Sequence, residues 1–194
     1  MLLNARTVGL HSKGEKMVGE TPLKKAEKET ALLEKISLAI PGFRGYKLKE
    51  MRREADRLIR DNLYRRLVGA ESNLKEVFQR LVINKIMDVL DDTDRLIAKF
   101  DRVSEMINHA SYGYSGFFDA VKIKEDDLDA MISFDLKLVD SVKDIEAKVK
   151  QFKGEAMGGK FEKVRVYVDD LRKSMEDLES AFNERKEAIM GVQI

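Results

Sequence analysis

The chain has 194 residues, 43% hydrophobic and 37% charged, with two prolines, no tryptophan and no cysteine. Its 36 basic and 35 acidic side chains leave a net charge of +1, which excludes the global positive field that drives non-specific nucleic-acid binding, so any electrostatic recognition is local. The lack of cysteine excludes disulfides, thiolate catalysis and cysteine-ligated zinc and fits a reducing cytoplasm, and no stretch has the length and apolarity of a membrane span or a signal peptide.

Residues 1–20 mix glycine, lysine and glutamate without apolar periodicity and read as a flexible tail ahead of a single domain over 21–194. A first helix is expected from Thr21, an N-cap, with Pro22 at the first helical position. Leu23, Ala26, Leu33, Ile36 and Ile40 recur at helical spacing behind it, and Pro41-Gly42 closes it. A second helix runs from about Tyr46 to Val68, with Met51, Ala55, Leu58, Ile59, Leu63 and Leu67 on its inner face and Gly69 placed to stop it.

The third periodic stretch, Leu74 to Ile107, contains no proline or glycine. It predicts a rod of about 50 Å, weakened at most around Asp91-Asp92-Thr93. Asn108 to Phe118 breaks the pattern with glycines and aromatics and reads as a loop, followed by a short extended piece at Val121–Ile123. The acidic run Glu125, Asp126, Asp127 and Asp129 suits the positive end of a helix dipole. That helix continues through Leu138, Val142, Ile145, Val149 and Phe152 to a turn at Gly154, Gly158 and Gly159. The last helix, from about Phe161 to Met190, shows Val164, Val168, Leu171, Met175, Leu178 and Phe182 at near-heptad spacing. The expected fold class is all-α: an antiparallel helical bundle of about five helices, including long coiled-coil-like ones.

Two segments stand out from this scaffold. Between Ile40 and Leu67, nine basic residues oppose four acidic ones. Arginine is suited to bidentate contacts with phosphate or carboxylate, so Arg44, Arg52, Arg53, Arg57 and Arg60 are candidate contacts for an acidic or phosphate-bearing partner. The bland alternative stays open, since Glu50–Arg53, Asp56–Arg60 and Asp61–Arg65 are opposite charges at helical neighbour spacing and decorate a solvated face equally well. The second segment is Tyr112-Gly113-Tyr114-Ser115-Gly116-Phe117-Phe118-Asp119. Its aromatics either plug the end of the bundle or stack on a partner, with Tyr112 and Tyr114 the partner-facing candidates.

No other group of residues reads as chemistry. Glu105 and His109 share a helical face but do not make the three or more converging ligands of a metal site, and no cofactor is implied. The acidic clusters at Asp88–Asp94 and Glu125–Asp129 lack a nearby nucleophile or phosphate loop, and solvated helix faces explain them. The glycines at 154–159 do not follow a strand or match a phosphate-binding loop.

The stretch Ile40-Pro41-Gly42-Phe43-Arg44-Gly45-Tyr46-Lys47, continuing through Arg52-Arg53-Glu54-Ala55-Asp56-Arg57-Leu58, together with the Tyr112–Asp119 segment, resembles an uncharacterised family of prokaryotic helical proteins. The resemblance implies a cysteine-poor helical protein and transfers no activity and no catalytic residue. If the Pro41-Gly42 turn and the aromatic loop lie at the same end of the bundle, Arg44, Tyr46, Tyr112 and Tyr114 form one composite surface.

The leading expectation is a non-enzymatic helical scaffold or adaptor that binds a protein partner or self-associates through these two segments. The alternative is an RNA- or ribosome-associated factor that contacts phosphates through the same arginines. A membrane-surface role is disfavoured because the apolar stripe of the basic helix is needed for the core.

Overall fold

The computed structural model describes residues 22–43, 49–110 and 125–191. Among them lie the α-helices α1 (Pro22–Ala39), α2 (Lys49–Ile83), α3 (Leu90–Asn108), α4 (Glu125–Met157) and α5 (Val164–Gly191), with a 3-10 turn at Met87–Val89 ahead of α3. No strand occurs among the described residues, and the helices pack on one another as an all-α bundle. The expected tail at 1–20, Thr21 and the extended piece at Val121–Ile123 lie outside the described residues.

The end of α1 follows its sequence. Pro41 and Gly42 form the centre of a type II turn, with Gly42 at φ 87° and the Phe43 N–H donating to the Ile40 carbonyl at 3.2 Å. That backbone conformation favours glycine, and proline presets the residue before it.

Helix α2 departs from expectation: it runs straight through Gly69. A glycine inside a helix costs about 1 kcal/mol relative to alanine. The stripe Leu63, Leu67, Ala70, Leu74, Val77 and Leu81 crosses it without a change of register, and every member is buried. Burial of a single leucine contributes about 2 kcal/mol, so the stripe outweighs the glycine.

The expected rod from Leu74 to Ile107 is correspondingly two helices, parted at Asn84–Ile86 rather than at Asp91-Asp92-Thr93. Lys85 takes φ 58°, its N–H reaches the Val82 carbonyl, and the Ile86 N–H reaches the Leu81 carbonyl. This is the pattern of a Schellman cap with lysine where glycine is usual. The Asn84 side-chain amide adds a bond to the Arg80 carbonyl at 2.7 Å, and Ile86 packs on the core. Asp91 and Asp92 fall in the first turn of α3, where negative charge is favourable. At the end of α4 the same cap recurs with Gly159 at φ 73°, Gly159 N–H on Ala156 and Lys160 N–H on Glu155.

Side-chain pairs fix the topology. Arg60 meets the Asn108 carbonyl and Tyr64 meets Glu105, so α2 and α3 are antiparallel. Arg185 meets Asp135, Lys148 meets Ser174 and Gln151 meets Tyr167, so α4 and α5 are antiparallel. The two hairpins then stand side by side with their strands of helix in parallel. Arg66 pairs with Glu146 and Lys153 with Asn73, while Lys99 pairs with Glu176 and Arg102 with Glu179. In cross-section α2, α3, α5 and α4 occupy successive corners of a square, and α1 lies against α4 with Ile36 and Ile40 buried. The buried apolar residues of these helices form one connected core. No helix among the described residues is long and apolar enough to cross a membrane.

Candidate functional site

At the end of the square where α2 and α4 begin, the core is charged. Asp56 and Arg60 on α2, Asp135 on α4 and Arg185 on α5 are 2%, 7%, 0% and 1% exposed. Arg60 Nε donates to Asp56 Oδ2 at 2.9 Å and its NH1 donates to the Asn108 carbonyl, also at 2.9 Å. Arg185 donates from Nε to Asp135 Oδ1 at 2.5 Å and from NH2 to Asp56 Oδ1 at 2.9 Å. Arg185 thus crosses the diagonal of the bundle from α5 to α2. Two guanidiniums and two carboxylates cancel in charge, and all four helices of the square contribute. The layer clamps the register of the two hairpins; its carboxylates are held by arginines away from solvent.

Just outside this layer, α2 and α3 share a half-exposed cluster. The Tyr64 hydroxyl donates to Glu105 Oε1 at 3.0 Å, the Asn108 amide donates to Oε2 at 3.4 Å, and His109 Nε2 lies 3.0 Å from the same carboxylate. The tyrosine hydrogen bond, with help from Asn108 and His109, holds the Glu105 carboxyl below its usual range, and the carboxylate in turn holds Tyr64 above its own. Glu105 and His109 therefore do share a face, as their spacing implies. No group of three or more potential ligands among the described residues is placed to hold a metal ion.

Farther along the α2–α4 seam the charge is exposed and one-sided. A groove of about 830 Å³ is walled by Arg65 and Arg66 on α2 and by Lys143, Lys150 and Lys153 on α4, with Glu146 the one carboxylate in its lining. Small residues make its floor: Gly69, Ala70 and Ala147. Three of the cations already have carboxylate partners, Arg66 with Glu146, Lys143 with Asp140 and Lys153 with Glu76. Arg65 donates to the Asp61 carbonyl at 3.1 Å. Among the described residues Arg65 and Lys150 have no carboxylate partner, which leaves one uncommitted cation on each wall. A side chain at Gly69 would meet nothing within 4 Å, so the helix backbone itself is open to the groove.

The residues singled out in the sequence are placed unevenly. Arg60 is turned into the core, so it belongs to the clamp and not to an outward surface. Arg57 is 77% exposed and pairs with Asp61 at 3.7 Å, and Arg53 is exposed on the same helix. Arg44, Tyr46, Tyr112 and Tyr114 lie outside the described residues, as does the side chain of Arg52. The Pro41-Gly42 turn and the end of α3 do share one end of the bundle: Gly42 lies beside Leu58, and Asn108 caps Arg60 two residues on.

Asp135 and Arg185 are missed by the sequence reading, although a signal exists. Each sits in register with an apolar stripe, Asp135 between Met131 and Leu138 and Arg185 after Ala181 and Phe182, where a charge must be buried. Lys150 and Lys153 carry no such signal, because the seam they flank is set by the pairing of helices far apart in sequence. The chain matches no family model, no curated protein and no solved structure.

Proposed function

We propose that this protein is a non-enzymatic helical scaffold that binds a macromolecular partner through the outward cations of α2. The observation that carries the reading is the division of arginines along that one helix. Arg60 is consumed by the charge-neutral core layer, whereas Arg53, Arg57 and Arg65 stand exposed on a helix held rigidly in the bundle. Guanidiniums in that setting recognise carboxylates or phosphates with little loss of side-chain freedom per bond formed. The absence of cysteine suits a cytoplasmic setting.

The test is recovery of partners from native lysate at low and high salt, with Arg53→Glu/Arg57→Glu/Arg65→Glu alongside the unaltered chain. A defined protein partner lost on charge reversal is the expected result. Recovery of the same partner by both chains would remove the arginines from the interface. RNA or ribosomes retained only at low salt, and only by the unaltered chain, would replace the adaptor reading with that of an RNA-associated factor.

A further inference from the structure

We infer that the cationic groove between α2 and α4 is a docking site for an acidic amphipathic helix of a protein partner. The inference rests on the adaptor reading and adds to it a place and an occupant.

Charge is the first argument. Arg65, Arg66, Lys143, Lys150 and Lys153 oppose Glu146 alone within the lining, and Arg65 on one wall and Lys150 on the other have no carboxylate partner among the described residues. A row of carboxylates along each edge of an incoming helix satisfies both walls.

Shape is the second. From Arg65 to Asn73 on α2 and from Lys143 to Lys153 on α4 the groove extends about 12–15 Å, or between two and three helical turns. Helix axes approach to about 8 Å only over small side chains, and Gly69, Ala70 and Ala147 provide that floor. Gly69 is costly in the middle of a 35-residue helix, and a Cβ there would touch nothing in this chain. A helix laid across it gives the glycine a purpose: its backbone can be approached closely.

Two further observations choose the occupant. The lining holds no aromatic side chain, so nothing offers the stacking platform that single-stranded nucleic acid uses. The face of α4 next to the groove already carries a helix. There α1 packs with Ile36 and Ile40 buried, and Lys143 lines both the groove and the smaller hollow between α1 and α4. An incoming helix would extend that layer along α4.

The probe is a synthetic helical peptide of about 18 residues, five turns, with glutamates at both edges of an alanine–leucine stripe. Its glutamine counterpart and polyuridylate RNA serve as comparison ligands. Binding to the full chain is measured by titration, with amide shifts of Gly69, Ala70 and Ala147 followed by NMR. The glutamate peptide is expected to bind and shift those amides, and the glutamine peptide to bind about tenfold more weakly or worse. Gly69→Leu is expected to abolish binding while raising thermal stability, because it fills the groove and improves helix propensity at an open position. Lys150→Glu is expected to weaken binding about tenfold without unfolding the chain.

Binding that survives both groove variants but is lost in Arg53→Glu/Arg57→Glu overturns the groove and leaves the adaptor reading standing. Polyuridylate shifting the same amides while the peptide does not overturns the helical occupant. No shift with either ligand overturns the site itself, and the lysate experiment then judges the adaptor reading separately.

Discussion

Arg60 and Arg65 stand on the same helix and meet opposite surroundings: one is 7% exposed and bonded to Asp56 and Asn108, the other lines an open groove with only a backbone carbonyl to hold. The same contrast holds for the two regions they belong to. In the buried layer each charge is neutralised by another buried side chain, Arg60 by Asp56 on its own helix and Arg185 by Asp135 and Asp56 on other helices, so the surface shows nothing of it. In the groove the cations outnumber the anions of its lining, and they stand open to solvent. One side-chain chemistry becomes an internal lock or an exposed cation according to whether it falls in or out of register with the apolar stripe.

The largest test of this contrast is Arg185→Met. The substitution leaves Asp56 and Asp135 buried without the guanidinium that bridges them, and breaking a buried ion pair from one side costs about 3–5 kcal/mol. Denaturant unfolding of the variant should show a loss of unfolding free energy of that size, against a change within about 0.5 kcal/mol for Arg65→Met on the groove wall. Replacing all four charged residues of the layer together with apolar residues of similar volume should recover most of the loss. A small effect for Arg185→Met alone would mean that water reaches the layer and that it is not a lock.

The bundle class and the positions of α1, α4 and α5 are legible in the sequence because apolar periodicity reports directly on burial, although Gly154, read as part of the turn, lies inside α4, which runs on to Met157. The Pro41-Gly42 turn and the Gly159 cap are legible because glycine marks left-handed backbone. The boundary between α2 and α3 is not, and for the same physical reason: Gly69 lies in a continuous helix, while the real stop at Lys85 uses a left-handed lysine that no propensity rule flags. The site is harder still. Asp56 and Arg60 look like an ordinary surface pair at helical spacing, and only Arg185, arriving from the far end of the chain, shows that they are buried. The groove depends on α2 and α4 lying parallel, which is decided by the crossing between the hairpins and not by any local pattern.

A smaller effect separates the two kinds of glycine. Gly69→Ala should stabilise the chain by about 1 kcal/mol, since nothing lies within 4 Å of the added carbon and the helix gains propensity. Gly42→Ala should destabilise it by about 1–2 kcal/mol, because φ 87° places the residue in the left-handed region. Thermal melts of the two variants should therefore move in opposite directions. A loss of stability in Gly69→Ala would show that the groove floor is already occupied by part of this chain.

The smallest effect lies between the lock and the solvent, at Glu105. Its carboxyl is held below the usual value chiefly by the Tyr64 hydroxyl and next by the Asn108 amide. A carboxylate with a depressed folded-state pKa contributes stability above the unfolded value, about 4.3, and that contribution is lost as pH falls through the lower folded value. Tyr64 has the mirror behaviour, because the neighbouring carboxylate raises its pKa. Its share is present below about pH 10 and lost as pH rises through the elevated value. Tyr64→Phe removes the hydrogen bond and keeps the ring. Titration of the Glu105 carboxyl by NMR should then show its midpoint move up toward that of an ordinary glutamate, while Glu179, held low by Arg102 on the parallel α3–α5 pair, stays where it is. If both midpoints move, α3 shifts as a body when Tyr64 lets go. If neither moves, Asn108 and His109 suffice to hold Glu105, and the tyrosine is bound to the carboxylate without tuning it.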